Sequence, residues 1–169
     1  HAEVALKHAQ RRAVRIQPEW QAHREQGRIE IALLLHREGQ WFALPQTLRA
    51  GGELAGMGAT LHIVSARLSA RCLRDQCADL ELTALVPRER ITATGDPTAK
   101  AAAVRLLHRD RALVGAFVGD TEHDVRAGLA LGLKAVGVTS GLTPRERLER
   151  AGAHHVIDDI SDLVRTICP

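Results

Sequence analysis

Apolar positions in this chain fall in short runs, each cut off by a polar or glycine-containing turn and followed by residues with helical spacing. Residues 29–36, Ile-Glu-Ile-Ala-Leu-Leu-Leu-His, predict a strand buried for much of its length. It ends in the polar turn His36-Arg37-Glu38-Gly39-Gln40-Trp41. A helix over 45–58 follows, weakened by Gly51-Gly52. Thr60 to Ser65 predicts a second strand ending in a small hydroxyl residue, then a helix from about Arg67 to Cys77. Residues 78–95 carry a weaker pattern, with a short strand around 90–92. Asp96-Pro97 is an acid N-cap followed by proline at the first helical position, and the helix it opens runs to about His108.

The second half repeats the scheme. A strand ends at Gly119, and a helix spans about 122–131. A strand over 134–138, a turn Thr139 to Pro144 and a charged helix over 145–151 come next. The last elements are a strand over 154–157 and an acid-capped helix over 159–167. Regular alternation of strand and helix predicts an α/β domain, a doubly wound parallel sheet of about five strands covered on both faces. Residues 1–27 are rich in Ala, Arg, Gln, Glu and His, and predict one or two helices broken near Pro18, outside a core domain over 28–169.

The chemistry concentrates at Leu113 to Asp124, Leu-Val-Gly-Ala-Phe-Val-Gly-Asp-Thr-Glu-His-Asp. Asp120 follows a buried strand directly, and ligands of doubly wound sheets gather beyond the carboxyl ends of the strands. Asp124 comes four residues later, so the two acids can converge on one volume suited to a hard cation such as Mg²⁺. Thr121 and Asp124 also spell a capping box, an ordinary helix start. That accounts for Asp124 but leaves Asp120 without a purpose. Lys100 lies in the first turn of its helix, where the dipole disfavours a cation, so it needs solvent or an anionic partner.

Composition narrows the classes. The chain has 169 residues, enough for one domain with a proper core, and 45% of them are hydrophobic. Trp20, Trp41, Phe42 and Phe117 are the full aromatic set, so Leu, Val, Ile and Ala build the core. A net charge of +3 allows weak attraction to anions, but no basic stripe interleaved with aromatics marks a nucleic-acid binder. No run approaches the roughly 18 apolar residues of a membrane span. Cys72, Cys77 and Cys168 form no Cys-x-x-Cys pair, and an odd count fits reduced thiols in a cytoplasmic protein better than a disulfide framework. The chain begins at His1, so targeting is only weakly constrained.

Three stretches, Val-Gly-Asp-Thr-Glu-His-Asp-Val-Arg-Ala-Gly from Val118, Val-Gly-Val-Thr-Ser-Gly from Val136 and Ala-Gly-Ala-His-His-Val-Ile-Asp-Asp from Ala151, resemble one family in order and spacing. That family is the haloacid dehalogenase (HAD) superfamily, nearest its phosphoglycolate-phosphatase-like branch. Weaker similarity runs back through Lys100 and the strand to Ser65, as far as about Leu44. The resemblance implies a HAD-like sheet and hydrolysis of a phosphate monoester with Mg²⁺. It implies that Ser65 would hydrogen-bond a phosphoryl oxygen, with Ala66 beside it in the phosphate-binding set. Lys100 would neutralise phosphate and carboxylate charge, and Asp120 would hold the metal with Asp124 assisting.

The first motif departs from the family. The family carries Asp-x-Asp-Gly-Thr on its first strand, whose first Asp attacks phosphorus and binds metal while the second exchanges a proton. Here that pattern falls on His36-Arg37-Glu38-Gly39-Gln40. Glu38 can still exchange a proton, one methylene further out. His36 cannot form an aspartyl-phosphate, and its neutral imidazole suits Zn²⁺ or Mn²⁺ better than Mg²⁺. Three readings follow: a pseudophosphatase that binds but does not hydrolyse by the family route, an enzyme of altered chemistry with His36 as nucleophile, or a fragment whose true first motif precedes His1. The first is preferred. Residues 41–64 and 66–99 leave no room for the family's usual lid, which predicts an open site. Lids exclude water and select small substrates. The expected partners are a small phosphorylated molecule, or a protein or second copy of the chain covering that opening.

Overall fold

The computed structural model describes residues 29–33, 44–109 and 112–168. The predicted N-terminal helices, the boundary at residues 27 and 28, the end of the first strand and the polar turn holding His36 and Glu38 lie outside the described residues. Strands β1 (Ile29–Leu33), β2 (Thr60–Ser65), β3 (Ile91–Ala93), β4 (Val114–Gly119), β5 (Lys134–Val138) and β6 (His155–Ile157) form one sheet in the order β3-β2-β1-β4-β5-β6. Every neighbouring pair is parallel. The strand anticipated around 90–92 is real and makes the sheet six-stranded, one more than the expected number.

Helices α1 (Leu44–Gly56), α2 (Ala70–Asp79), α3 (Lys100–Leu107), α4 (Glu122–Ala130), α5 (Arg145–Arg150) and α6 (Leu163–Ile167) divide between the two faces. Strand periodicity assigns the sides. Ala116 and Val118 of β4, with Val136 and Val138 of β5, pack in the cluster that takes Leu54 from α1, Leu73 and Cys77 from α2, and Leu163 and Ile167 from α6. Phe117 points the other way, into Val64, Val104 of α3 and Ala127 of α4. Ala135 of β5 meets Val125 of α4 and Leu148 of α5 on that same side. The strands are apolar on both faces because both are covered.

Local chemistry moves some element ends. Helix α2 begins three residues later than predicted, because the Ser69 hydroxyl accepts the Cys72 N–H at 3.2 Å and fixes the start there. Helix α1 persists through Gly51-Gly52, since the fully buried Leu54 ties it to the core. The helix predicted from Asp96 opens instead as a 3-10 turn over Pro97–Ala99 before α3. The interval 66–99 is filled by α2, two further 3-10 turns, β3 and that turn. Among the described residues there is no separate lid domain.

β1 is the central strand, and the chain leaves it first towards β3 and later towards β6. Leu33 is in register with Ile63 on one side and Val118 on the other. Two residues beyond those partners stand Ser65 and Asp120. The carboxyl end of β1 thus opens between them, at the switch point where ligands of such sheets bind.

Two tests follow from the packing. Phe117 is fully buried at the centre of its face, so Phe117→Ala should lower the unfolding free energy by about 3–5 kcal/mol in urea titration. Cys72 is exposed while Cys77 and Cys168 are buried, and burial pushes both buried thiols up to about 11. An unfolded thiol titrates near 8.5, so the contribution of these two groups is complete below about that pH. It declines as the pH rises towards about 11. A thiol reagent near pH 8 should label Cys72 at once and the other two only on unfolding.

Candidate functional site

Ser65 ends β2 and is buried. Its carbonyl accepts the Thr94 N–H at 2.8 Å and the Thr94 hydroxyl at 3.2 Å, which ties the end of β2 to the loop after β3. Its Oγ accepts the Arg67 N–H at 3.4 Å, a long bond that holds the hydroxyl loosely, and Ala66 between them is half-buried.

The loop from Thr94 delivers Lys100. Asp96 accepts both the Thr98 N–H and the Thr98 hydroxyl at 2.7 Å, which closes the 3-10 turn and keeps the exposed Asp96 carboxyl below the usual range. The turn feeds into α3 with Lys100 as its first residue. Lys100 then turns inward, and its Nζ donates to Asp124 Oδ1 at 2.6 Å. The two side chains are only 5% and 1% exposed. The cation in the first turn therefore has an anionic partner, supplied by a neighbouring helix.

Asp124 serves two elements at once. Its Oδ2 accepts the Thr121 N–H at 3.1 Å and the Thr121 hydroxyl at 2.6 Å, while its own N–H donates to Thr121 Oγ1 at 3.4 Å. This is the predicted capping box at the start of α4. One carboxylate oxygen closes that box and the other holds Lys100. Gly119 makes this fit, because a Cβ there would come within 2.5 Å of Asp124 Oδ2.

Asp120 follows β4 and is 6% exposed. Its Oδ2 accepts the Leu142 N–H at 3.1 Å, from the loop between β5 and α5. Of the residues anticipated from the sequence, the described structure brings Ser65, Ala66, Lys100, Asp120 and Asp124 to the carboxyl edge of one sheet. His36 and Glu38 lie outside the described residues. Sequence reasoning assigned no part to Gly141 and Leu142, although a glycine three residues past a strand end was a signal of close approach. Among the described residues no three His, Cys, Asp or Glu side chains gather as a metal-binding group.

Residues 95–163 match the model of the HAD-hydrolase-like family, a span that includes Lys100, Asp120, Asp124 and the β5 loop. No curated protein matches the chain. Solved structures of similar fold include one predicted to be a phosphoglycolate phosphatase from Haemophilus somnus. It is 18% identical with a TM-score of 0.61, and the match covers 72% of this chain and 56% of that one. A haloacid dehalogenase-like family protein from Streptococcus pneumoniae also gives 18% identity and a TM-score of 0.61, over 72% of this chain and 58% of that one. A predicted phosphatase from Clostridium acetobutylicum is 22% identical, with a TM-score of 0.55 over 75% of this chain and 57% of that one. The chain thus spans little more than half the length of these three structures. It is HAD-like in fold, and over residues 95–163 in sequence as well.

The buried pair gives a direct test. Asp124→Asn removes the counter-charge that Lys100 meets at 2.6 Å and should cost about 3–5 kcal/mol in urea unfolding. Adding Lys100→Met to Asp124→Asn should recover most of that loss, since the stranded charge is then gone.

Proposed function

We propose that this protein is a pseudophosphatase on a HAD-like fold: it binds a phosphorylated ligand at the carboxyl edge of the sheet, with hydrolysis by the family route impaired or lost. The observation that carries the reading is the buried Lys100–Asp124 pair at the same edge as Ser65 and Asp120, combined with histidine at the nucleophile position of the first motif. A lysine held rigid and dry is suited to phosphate charge, because a preorganised cation needs no reorganisation when the anion arrives. On this reading the Ser65 hydroxyl donates to a phosphoryl oxygen and Ala66 lines the same subsite. Asp124 holds Lys100 in place.

A divalent cation fits the donor chemistry. Asp120 is a hard carboxylate at a strand end, and Mg²⁺ is commonly bound by one or two carboxylates together with water and substrate phosphate. Asp120 would hold it, with Asp124, itself bonded to Thr121 and Lys100, assisting, and imidazole from His36 would shift the preference towards Mn²⁺ or Zn²⁺. When bound, the ion supplies charge neutralisation to the phosphoryl group. His36 cannot give the acyl-phosphate that an aspartate gives, while Glu38 retains a group able to exchange a proton.

With no separate lid among the described residues, the ligand is either a small phosphorylated molecule in an open cleft or a phosphorylated protein surface. No described helix is long and apolar enough to cross a membrane, and the reading takes the protein as cytoplasmic. A second reading, an active phosphatase using His36, draws on the same buried Lys100, Asp124 and Asp120.

Turnover of p-nitrophenyl phosphate with Mg²⁺, Mn²⁺ and Zn²⁺ separates the two. The expected result is an inert wild type, with His36→Asp gaining activity that Asp120→Asn removes. Wild-type turnover abolished by Asp120→Asn would overturn the pseudophosphatase reading in favour of a working hydrolase.

A further inference from the structure

We propose that the loop between β5 and α5 is a positioning element of the cation site, with Gly141 and the Leu142 amide together fixing the carboxylate of Asp120. The proposal rests on the reading of Asp120 as a cation ligand and adds residues that reading does not use. Leu142 N–H donates to Asp120 Oδ2 at 3.1 Å. The backbone at Gly141, the preceding residue, also lies close against the Asp120 side chain. A Cβ at residue 141 would stand 2.1 Å from Asp120 Oδ2, 2.3 Å from its Cβ and 2.5 Å from its Cγ. The carboxylate is thus held by a donor amide and packed closely against the bare main chain next to it.

The grip is firm because the loop is tied down at both ends. At its start, Thr139 N–H donates to Ile157 O at 3.0 Å and the Thr139 hydroxyl donates to Asp158 Oδ1 at 2.9 Å. At its end, Arg145 donates to Val156 O at 2.9 Å and to the same Asp158 oxygen at 2.8 Å. Those bonds keep the exposed Asp158 carboxyl below the usual range, with the Arg145 contact the leading cause. The anchoring runs from β6 through the loop to Asp120. Orientation of a ligating carboxylate by such outer partners is a general device of metal sites.

Gly141 is not among the glycines with positive φ, so alanine fits its backbone. The three atoms nearest its added methyl all belong to Asp120, which separates the effect on the carboxylate from backbone strain. Leu142→Ala, by contrast, keeps the amide donor and trims a side chain that is 60% exposed.

The experiment measures Mn²⁺ affinity by calorimetry on the full chain for wild type, Gly141→Ala, Leu142→Ala and Asp120→Ala, alongside thermal unfolding in chelator. Loss of an outer-sphere partner typically weakens metal binding roughly 10- to 100-fold, and that loss is expected for Gly141→Ala. Leu142→Ala should bind as wild type does, and each of these two variants should unfold cooperatively. A folded Gly141→Ala with wild-type affinity overturns the proposal, as does an equal loss in Leu142→Ala. Amide hydrogen exchange supplies a readout that needs no metal. The Leu142 N–H should be protected in wild type and exchange faster in Asp120→Ala, while Val136 and Val138 of β5 keep their protection. An unprotected Leu142 amide in wild type also overturns the clamp. If wild type shows no Asp120-dependent Mn²⁺ binding while Leu142 protection still depends on Asp120, the cation reading falls and the clamp stands.

Discussion

The Lys100–Asp124 pair is the constraint on which the site depends. Both groups leave water almost completely, and desolvation of two ions costs several kcal/mol each before their attraction is counted. Such a pair is retained only where close geometry and further hydrogen bonds offset that cost. Here the 2.6 Å contact supplies the first, and the Thr121 amide and hydroxyl supply the second. The result locks the start of α3 to the start of α4. Those two helices follow β3 and β4, which lie on opposite sides of the central strand, so one buried contact sets the spacing of the helices across the switch point. A well-packed apolar pair would stabilise the fold as well. The presence of charge instead is the observation on which the proposed ligand-binding role of this edge rests.

The two acids of the organising stretch divide their duties. Asp124 is committed by both oxygens, one to the capping box and one to Lys100. Asp120 is held by the main chain of another loop. Each carboxylate rests against a glycine, Gly119 for Asp124 and Gly141 for Asp120, because no other residue leaves space for an oxygen that close to the backbone. The glycines and acids work as two matched pairs.

Much of this was legible in the sequence. The alternation of short apolar runs with helical segments specified a parallel sheet covered on both faces, and periods of 2.0 and 3.6 residues are properties of the local chain. The capping box Thr121–Asp124 and the Asp96-Pro97 start could be read directly, since caps involve residues only two or three apart. The strand Ile91–Ala93 was faint for a local reason: three residues are too few to display an alternation. The start of α2 was misjudged because Ser69 caps it after a loop that carries helix-forming residues.

What the sequence by itself determined was therefore the element order, the sheet type and the residues with a charge or donor to offer. Only the tertiary structure decided which of them meet. Lys100 lies 24 residues from Asp124, and Leu142 lies 22 from Asp120. No local pattern encodes those distances. They follow from parallel strands carrying their loops to one edge, where groups far apart in the chain are forced within bonding range of one another.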